Sequence, residues 1–245
     1  MAERTALVVS AHSADFVWRA GGAIALHAAD GVAVTVVCLS YGERGESAKL
    51  WRQDGMTLDR VKSERQREAE NAAKALGVAD IQFWDLGDYP IALPEQALFR
   101  LAGLYRSVRP SFVLTHSRED PYNRDHPLVS QFAQEARIVA QAHGHEPGGK
   151  VLGAPPVFLF EPHQPEQCRW MPNTLLDITP VWEKKRAAIE CMAGQEHLWE
   201  YYTRVAKQRG VQAARNSDKK ITYGEAYEAV FPHVVETLVP TEGRK

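Results

Sequence analysis

His12 and Asp15 stand three residues apart, just after the apolar, β-branched run Ala6–Val9 and shortly before Gly21-Gly22. An imidazole and a carboxylate at that spacing can reach one cation from a single turn. Zn²⁺ takes both ligand types and, for catalysis, needs a third protein ligand and an open position. Read alone, the pair is more simply a turn cap. A second stretch, VLTHSREDPYNRDHPLV over Val113–Val129, repeats the arrangement: an apolar strand, a polar loop, then a helix, with Asp125-His126-Pro127 at the junction. Asp and Pro both suit a helical first turn. Two strand ends of one parallel sheet then offer imidazole and carboxylate groups to the same crevice, at the end where open α/β sheets bind ligands.

The elements that must hold these groups follow from the apolar patterning. Strands are expected at Ala6–Val9, Ala33–Leu39, Asp80–Trp84, Ser111–Thr115 and Pro156–Phe160. Helices are expected at Gly22–Asp30, from Thr57 to the C-cap Gly77, at Ala97–Val108, Pro127–His143, and from Pro180 to about Gly194. Continuous apolar character in Ala33–Leu39 marks a strand buried on both faces. The alternation predicts an α/β fold, a doubly wound, mostly parallel sheet with helices on both faces. Between the second strand and the next helix lies SYGERGESAKLWRQDG, Ser40–Gly55. A polar loop of this length, starting at a strand end, can fold over the crevice.

The motifs around the two histidines resemble the PIG-L (LmbE-like) family of zinc enzymes, whose signatures are AHPDDE after the first strand and HPDH after a later one. Here they read Ala11-His12-Ser13-Ala14-Asp15-Phe16 and Asn123-Arg124-Asp125-His126. Weaker likenesses are Arg65-x-x-Glu68, Asp177-Ile178-Thr179 with Lys185 and Gln195, and Gly224-Glu225-Ala226. Together they span roughly Ala6 to Phe231. The resemblance implies a Rossmann-like fold with a C-terminal helical extension over about 180–245, all within one domain. It also implies a Zn²⁺ site made by His12, Asp15 and His126, and it puts Arg65 at a position that meets substrate in the family's deacetylases. Two positions depart from the deacetylase pattern. The general base has become Ala14, and the first histidine of HPDH has given way to Arg124, or to Asn123 by strict count. The metal ligands are kept and the amide-hydrolysis machinery is gone.

An open position on such an ion would activate water, and Ala14 can take no proton from it. Glu46 in the long loop and His163 after the fifth strand are the candidate acid–base groups; otherwise they would read as a solvated loop acid and a turn histidine. His116 and Asp125 are expected to orient the ligands. Addition of water across a conjugated C=C suits this inventory. Arg44, Arg65 and Arg124 could then bind the carboxylates of an unsaturated polycarboxylate, although a helix arginine such as Arg65 equally suits a solvated face. AHSADFVWRAGG, GERGES and EPHQPEQCRW resemble the family's hydratase branch, which works in the breakdown of aromatic acids and in which Glu46 and His163 would share the proton work. The alternatives are a zinc N-deacetylase of an amino sugar and a non-catalytic metal- or ligand-binding protein.

Bulk composition narrows the partners. A net charge of −2 over 245 residues implies no nucleic-acid face. No apolar run approaches the roughly 20 residues of a membrane span. The three cysteines, Cys38, Cys168 and Cys191, have no metal-type spacing and suit reduced thiols in a cytoplasmic protein. A homo-oligomer is compatible with the sequence.

Overall fold

The computed structural model describes residues 4–145 and 150–232. Residues 146–149 and the end of the expected extension, 233–245, lie outside them. Seven strands form one sheet in the order β3-β2-β1-β4-β5-β7-β6. These are β1 (Thr5–Ser10), β2 (Ala33–Cys38), β3 (Asp80–Phe83), β4 (Phe112–Thr115), β5 (Val157–Phe160), β6 (Thr174–Asp177) and β7 (Gly224–Ala229). The first five pair in parallel, whereas β7 runs antiparallel to both β5 and β6. From central β1 the chain winds outward to β2 and β3, then returns to β4 on the other side. The carboxyl ends of β1 and β4 therefore flank the switch point, where the two halves diverge and leave a crevice.

β1 has polar water-facing groups on neither side. Ala6 and Val8 pack into a core with helices α1 (Asp15–Ala29), α3 (Leu58–Leu76), α6 (Trp182–Glu190) and α7 (Trp199–Arg215). Leu7 and Val9 face the opposite core with α4 (Glu95–Val108) and α5 (Asp125–Gln141). Alternate side chains thus serve opposite layers, as the pleat requires. The short helix α2 (Ala48–Trp51) interrupts the long loop after β2. Thr57 caps α3 by accepting the Arg60 N–H, and Gly77 ends it at φ 80°.

Three boundaries differ from expectation. α1 starts at Asp15, not Gly22, because Gly21 and Gly22 lie inside the helix, where the packing needs them. A Cβ at Gly22 would stand 2.6 Å from Ile178 Cγ2 and 2.8 Å from Glu225 Oε1. α5 starts at Asp125, so His126 sits in its first turn, not in the loop before it. The stretch after 180 is also not purely helical. It contributes β7, whose Glu225 and Tyr227 side chains point at α1. Strand alternation in GEAYEA is masked because this buried face carries polar groups.

Those groups form a pin on α1. The Glu225 carboxylate accepts the Gly22 and Ala23 N–H groups at 2.7 Å each, the Lys185 ammonium at 2.5 Å and the Tyr227 hydroxyl at 2.6 Å. Lys185 also donates to the Trp18 carbonyl. A second pin holds α3. Buried Arg65 donates to Glu68 at 2.6 Å and to Gln195 Oε1 at 2.7 Å, while Glu68 accepts the Gly194 N–H. The late motifs thus fix the helices behind the crevice.

Candidate metal centre

Donor groups from three strand ends meet at the switch point. His12, Asp15, Glu46 and His126 each offer an atom within 4.8 Å of the others. His12 and Asp15 follow β1, and Asp15 is turned back so that its Oδ2 accepts the His12 N–H and lies 3.1 Å from His12 Nδ1. Asp15 Oδ1 stands 3.5 Å from His126 Nε2. Glu46 comes from the loop after β2, with Oε1 3.2 Å from His12 Nδ1. Gly42 makes that approach possible: its φ is 68°, and a Cβ there would sit 3.3 Å from both Glu46 Oε2 and His12 Cβ.

Each histidine is held from behind by a carboxylate. His12 Nε2 lies 3.2 Å from Asp88 Oδ1 and 3.3 Å from Asp125 Oδ2. Asp125 is itself fixed by the Tyr89 and Ile91 N–H groups, and Asp88 by those of Arg44 and Gly45. His126 Nδ1 lies 2.8 Å from Asp120 Oδ2. These contacts put the ring protons on His12 Nε2 and His126 Nδ1. The lone pairs of His12 Nδ1 and His126 Nε2 then point into the cluster, the arrangement of metal-ligating histidines. His126 Nε2 is buried without a hydrogen-bond partner, which is costly unless something else occupies its lone pair. Burial opposes charge on His12, but Glu46, Asp125, Asp15 and Asp88 outweigh it and raise its pKa well above the ordinary value. Burial likewise opposes charge on Asp15, yet His126, His116 and His12 hold its carboxyl well below the usual range. A buried centre of this charge and donor set fits a divalent cation with N/O ligands.

The other expected residues divide. His116 accepts the Ala11 N–H at Nε2 and stacks on His126 at 4.3 Å. Burial, then His126, keep it neutral by lowering its pKa. Asp125 contacts His12 as described. His163 lies outside the four-donor cluster; it is half-buried, stacked on Tyr201 at 4.1 Å, and receives the Tyr201 hydroxyl at its carbonyl. Burial and then Arg19 lower its pKa. Ala14 is fully buried among apolar groups.

The three arginines expected to meet substrate differ in their surroundings. Arg44 and Arg124 are exposed, and Arg65 is wholly buried and engaged by Glu68 and Gln195. Arg124 points out because α5 begins beside it; buried Asn123 instead caps that helix, accepting the Asp125 N–H. Sequence reading passed over Asp88, Asp120 and Arg19. The two acids had a usable signal, since each lies in a loop after a strand end. Arg19 also had one: it follows Asp15 by one helical turn, and its Nε lies 3.3 Å from Asp15 Oδ1.

A family model described as PIG-L, GlcNAc-PI de-N-acetylase, matches residues 7–137. The chain is 65% identical over 240 residues to a 4-oxalmesaconate hydratase of Pseudomonas putida, covering 96% of this chain and 93% of that one. It superposes on the crystal structure of the P. putida 4-carboxy-2-hydroxymuconate hydratase with a TM-score of 0.94 at 64% identity, over 96% of this chain and all of the other. The N,N'-diacetylchitobiose deacetylase of Pyrococcus horikoshii shares the fold alone, with a TM-score of 0.78 at 22% identity over 94% of this chain and 84% of that one. By the matched model, the near-full-length similarity and the retained motifs, the chain belongs to the PIG-L family.

Proposed function

We propose that this protein hydrates 4-oxalomesaconate, or its enol tautomer 4-carboxy-2-hydroxymuconate, to 4-carboxy-4-hydroxy-2-oxoadipate in the breakdown of gallate. One observation carries the reading: the base of the deacetylases is replaced by buried Ala14 while the His12, Asp15, Glu46 and His126 cluster is intact. The similarity to two proteins named as hydratases of these tautomers supports it.

Zn²⁺ held by His12 Nδ1, Asp15 and His126 Nε2 would supply Lewis acidity toward substrate oxygens. The chain's own groups do the rest. In the oxo form, the oxygen of water bonds to C4 as the C4=C5 π bond opens. Its electron pair moves toward the C6 carboxylate, and C5 then gains a proton. Glu46 and His163 share this proton work, one taking a proton from water and the other giving one to carbon. His163 starts the cycle neutral, as burial and Arg19 dictate. Asp88, Asp125 and Asp120 keep the two histidine rings oriented.

The test is to assay zinc-loaded protein on the dienol and on an N-acetyl amino sugar. Loss of the dienol's ultraviolet absorbance is expected. Acetate release with the absorbance unchanged would overturn the proposal in favour of a deacetylase.

A further inference from the structure

We infer that Arg19 is a substrate-binding residue, its buried guanidinium receiving a carboxylate or developing enolate oxygen beside the metal centre. The inference rests on the hydratase reading above. Arg19 is only 8% exposed, on the second turn of α1. Of the five N–H donors a guanidinium carries, one on Nη1 is used, at 3.0 Å on the Glu161 carbonyl. Nε is fully buried and unpartnered: Asp15 Oδ1 lies 3.3 Å away but out of line for a hydrogen bond. Among the described residues no other acceptor is aligned with this group. A guanidinium so buried and so little bonded is expensive unless an anion completes it.

Its surroundings say where that anion sits. Arg19 is close enough to Asp15, Asp120 and Glu46 for their charges to hold its proton, and its own charge depresses the pKa of His163. Its Nε stands beside Asp15 of the cluster, and its Nη1 beside the carbonyl of Glu161, two residues before His163. Asp15 does not serve as its full partner, because that carboxylate is already shared with His12 and His126 and belongs to the cluster that fits a cation. With Asp15 committed there, the unpartnered Nε of Arg19 is left for an oxygen of the substrate. A fork of fixed geometry suits a carboxylate, which lysine would meet only as a point charge. The arginine is placed by α1 itself, one turn beyond Asp15, so the element that supplies a metal ligand also supplies the anion site.

The test uses full-length R19K and R19M with three readouts: steady-state kinetics on the dienol, metal content, and calorimetric binding of propane-1,2,3-tricarboxylate to zinc-loaded protein. Loss of one charged hydrogen-bond partner predicts a KM higher by about 10- to 150-fold in both variants, with a smaller change in kcat. Metal content should be unchanged and the tricarboxylate bound correspondingly weaker. Unchanged KM and unchanged tricarboxylate binding would overturn the inference, and so would loss of metal from the variants, which would make Arg19 a support for Asp15 alone. If the wild type fails to hydrate the dienol, the functional reading falls, while the calorimetric comparison still decides whether Arg19 binds carboxylates.

Discussion

Glu46 gains its position from Gly42, which lets the loop approach His12, and from Asp88, which accepts the Arg44 and Gly45 N–H groups. A carboxylate in that place carries proton transfer, so E46Q, which keeps the shape, should lower kcat by about 10²- to 10⁴-fold in steady-state assays. A fall of less than tenfold would contradict its role. His163 offers a role-independent check. Burial and then Arg19 disfavour its imidazolium, so an NMR titration should place the ring's pKa below the ordinary histidine value, and R19M, by removing a positive charge, should raise it part of the way. A titration that R19M leaves unmoved would contradict the coupling. His12, Asp15 and His126 were legible because a short spacing after an apolar run is a local signal. Arg19, Asp88 and Asp120 carried weaker signals, a helical turn after Asp15 and loops after strand ends, and which groups the two acids hold follows only from how distant loops converge. For arginines the sequence is less decisive: a guanidinium in a polar loop or on a helix can face solvent, as Arg44 and Arg124 do, or an internal carboxylate, as Arg65 does.

At the scale of elements, α1 bears the most. Its first two turns carry Asp15 and Arg19, and its middle is gripped by Glu225, Lys185 and Tyr227. Replacing Lys185 with Met leaves the Glu225 carboxylate buried without its counter-ion. K185M should therefore lose about 3–5 kcal/mol of stability in urea unfolding. A loss under about 1 kcal/mol would show that the pin is dispensable. The strands and the longer helices were readable from periodicity, and Gly77 from its C-cap role. The start of α1 was not, since Gly21-Gly22 resembles a helix entrance and is instead a place of close packing against Ile178 and Glu225. β7 was missed for a related reason: its inward residues, Glu225 and Tyr227, are polar because they bond to a helix backbone.

The whole molecule brings loops after β1, β2, β3 and β4 to one place because β1 lies at the centre of the sheet, with β2 and β4 beside it. A doubly wound, mostly parallel sheet was expected from alternating strands and helices; this strand order and the antiparallel β6–β7 edge, which closes the far side over α7, were not. No helix among the described residues is long and apolar enough to cross a membrane. The convergence of His12, Asp15 and His126 on one cation, with Glu46 beside it, is the claim on which the hydration chemistry depends. Measuring zinc per chain alongside dienol consumption for the wild type and H126A tests it most directly. The account predicts about one equivalent of zinc and rapid hydration in the wild type, and loss of both in H126A with the fold retained. Full zinc occupancy in H126A would contradict it.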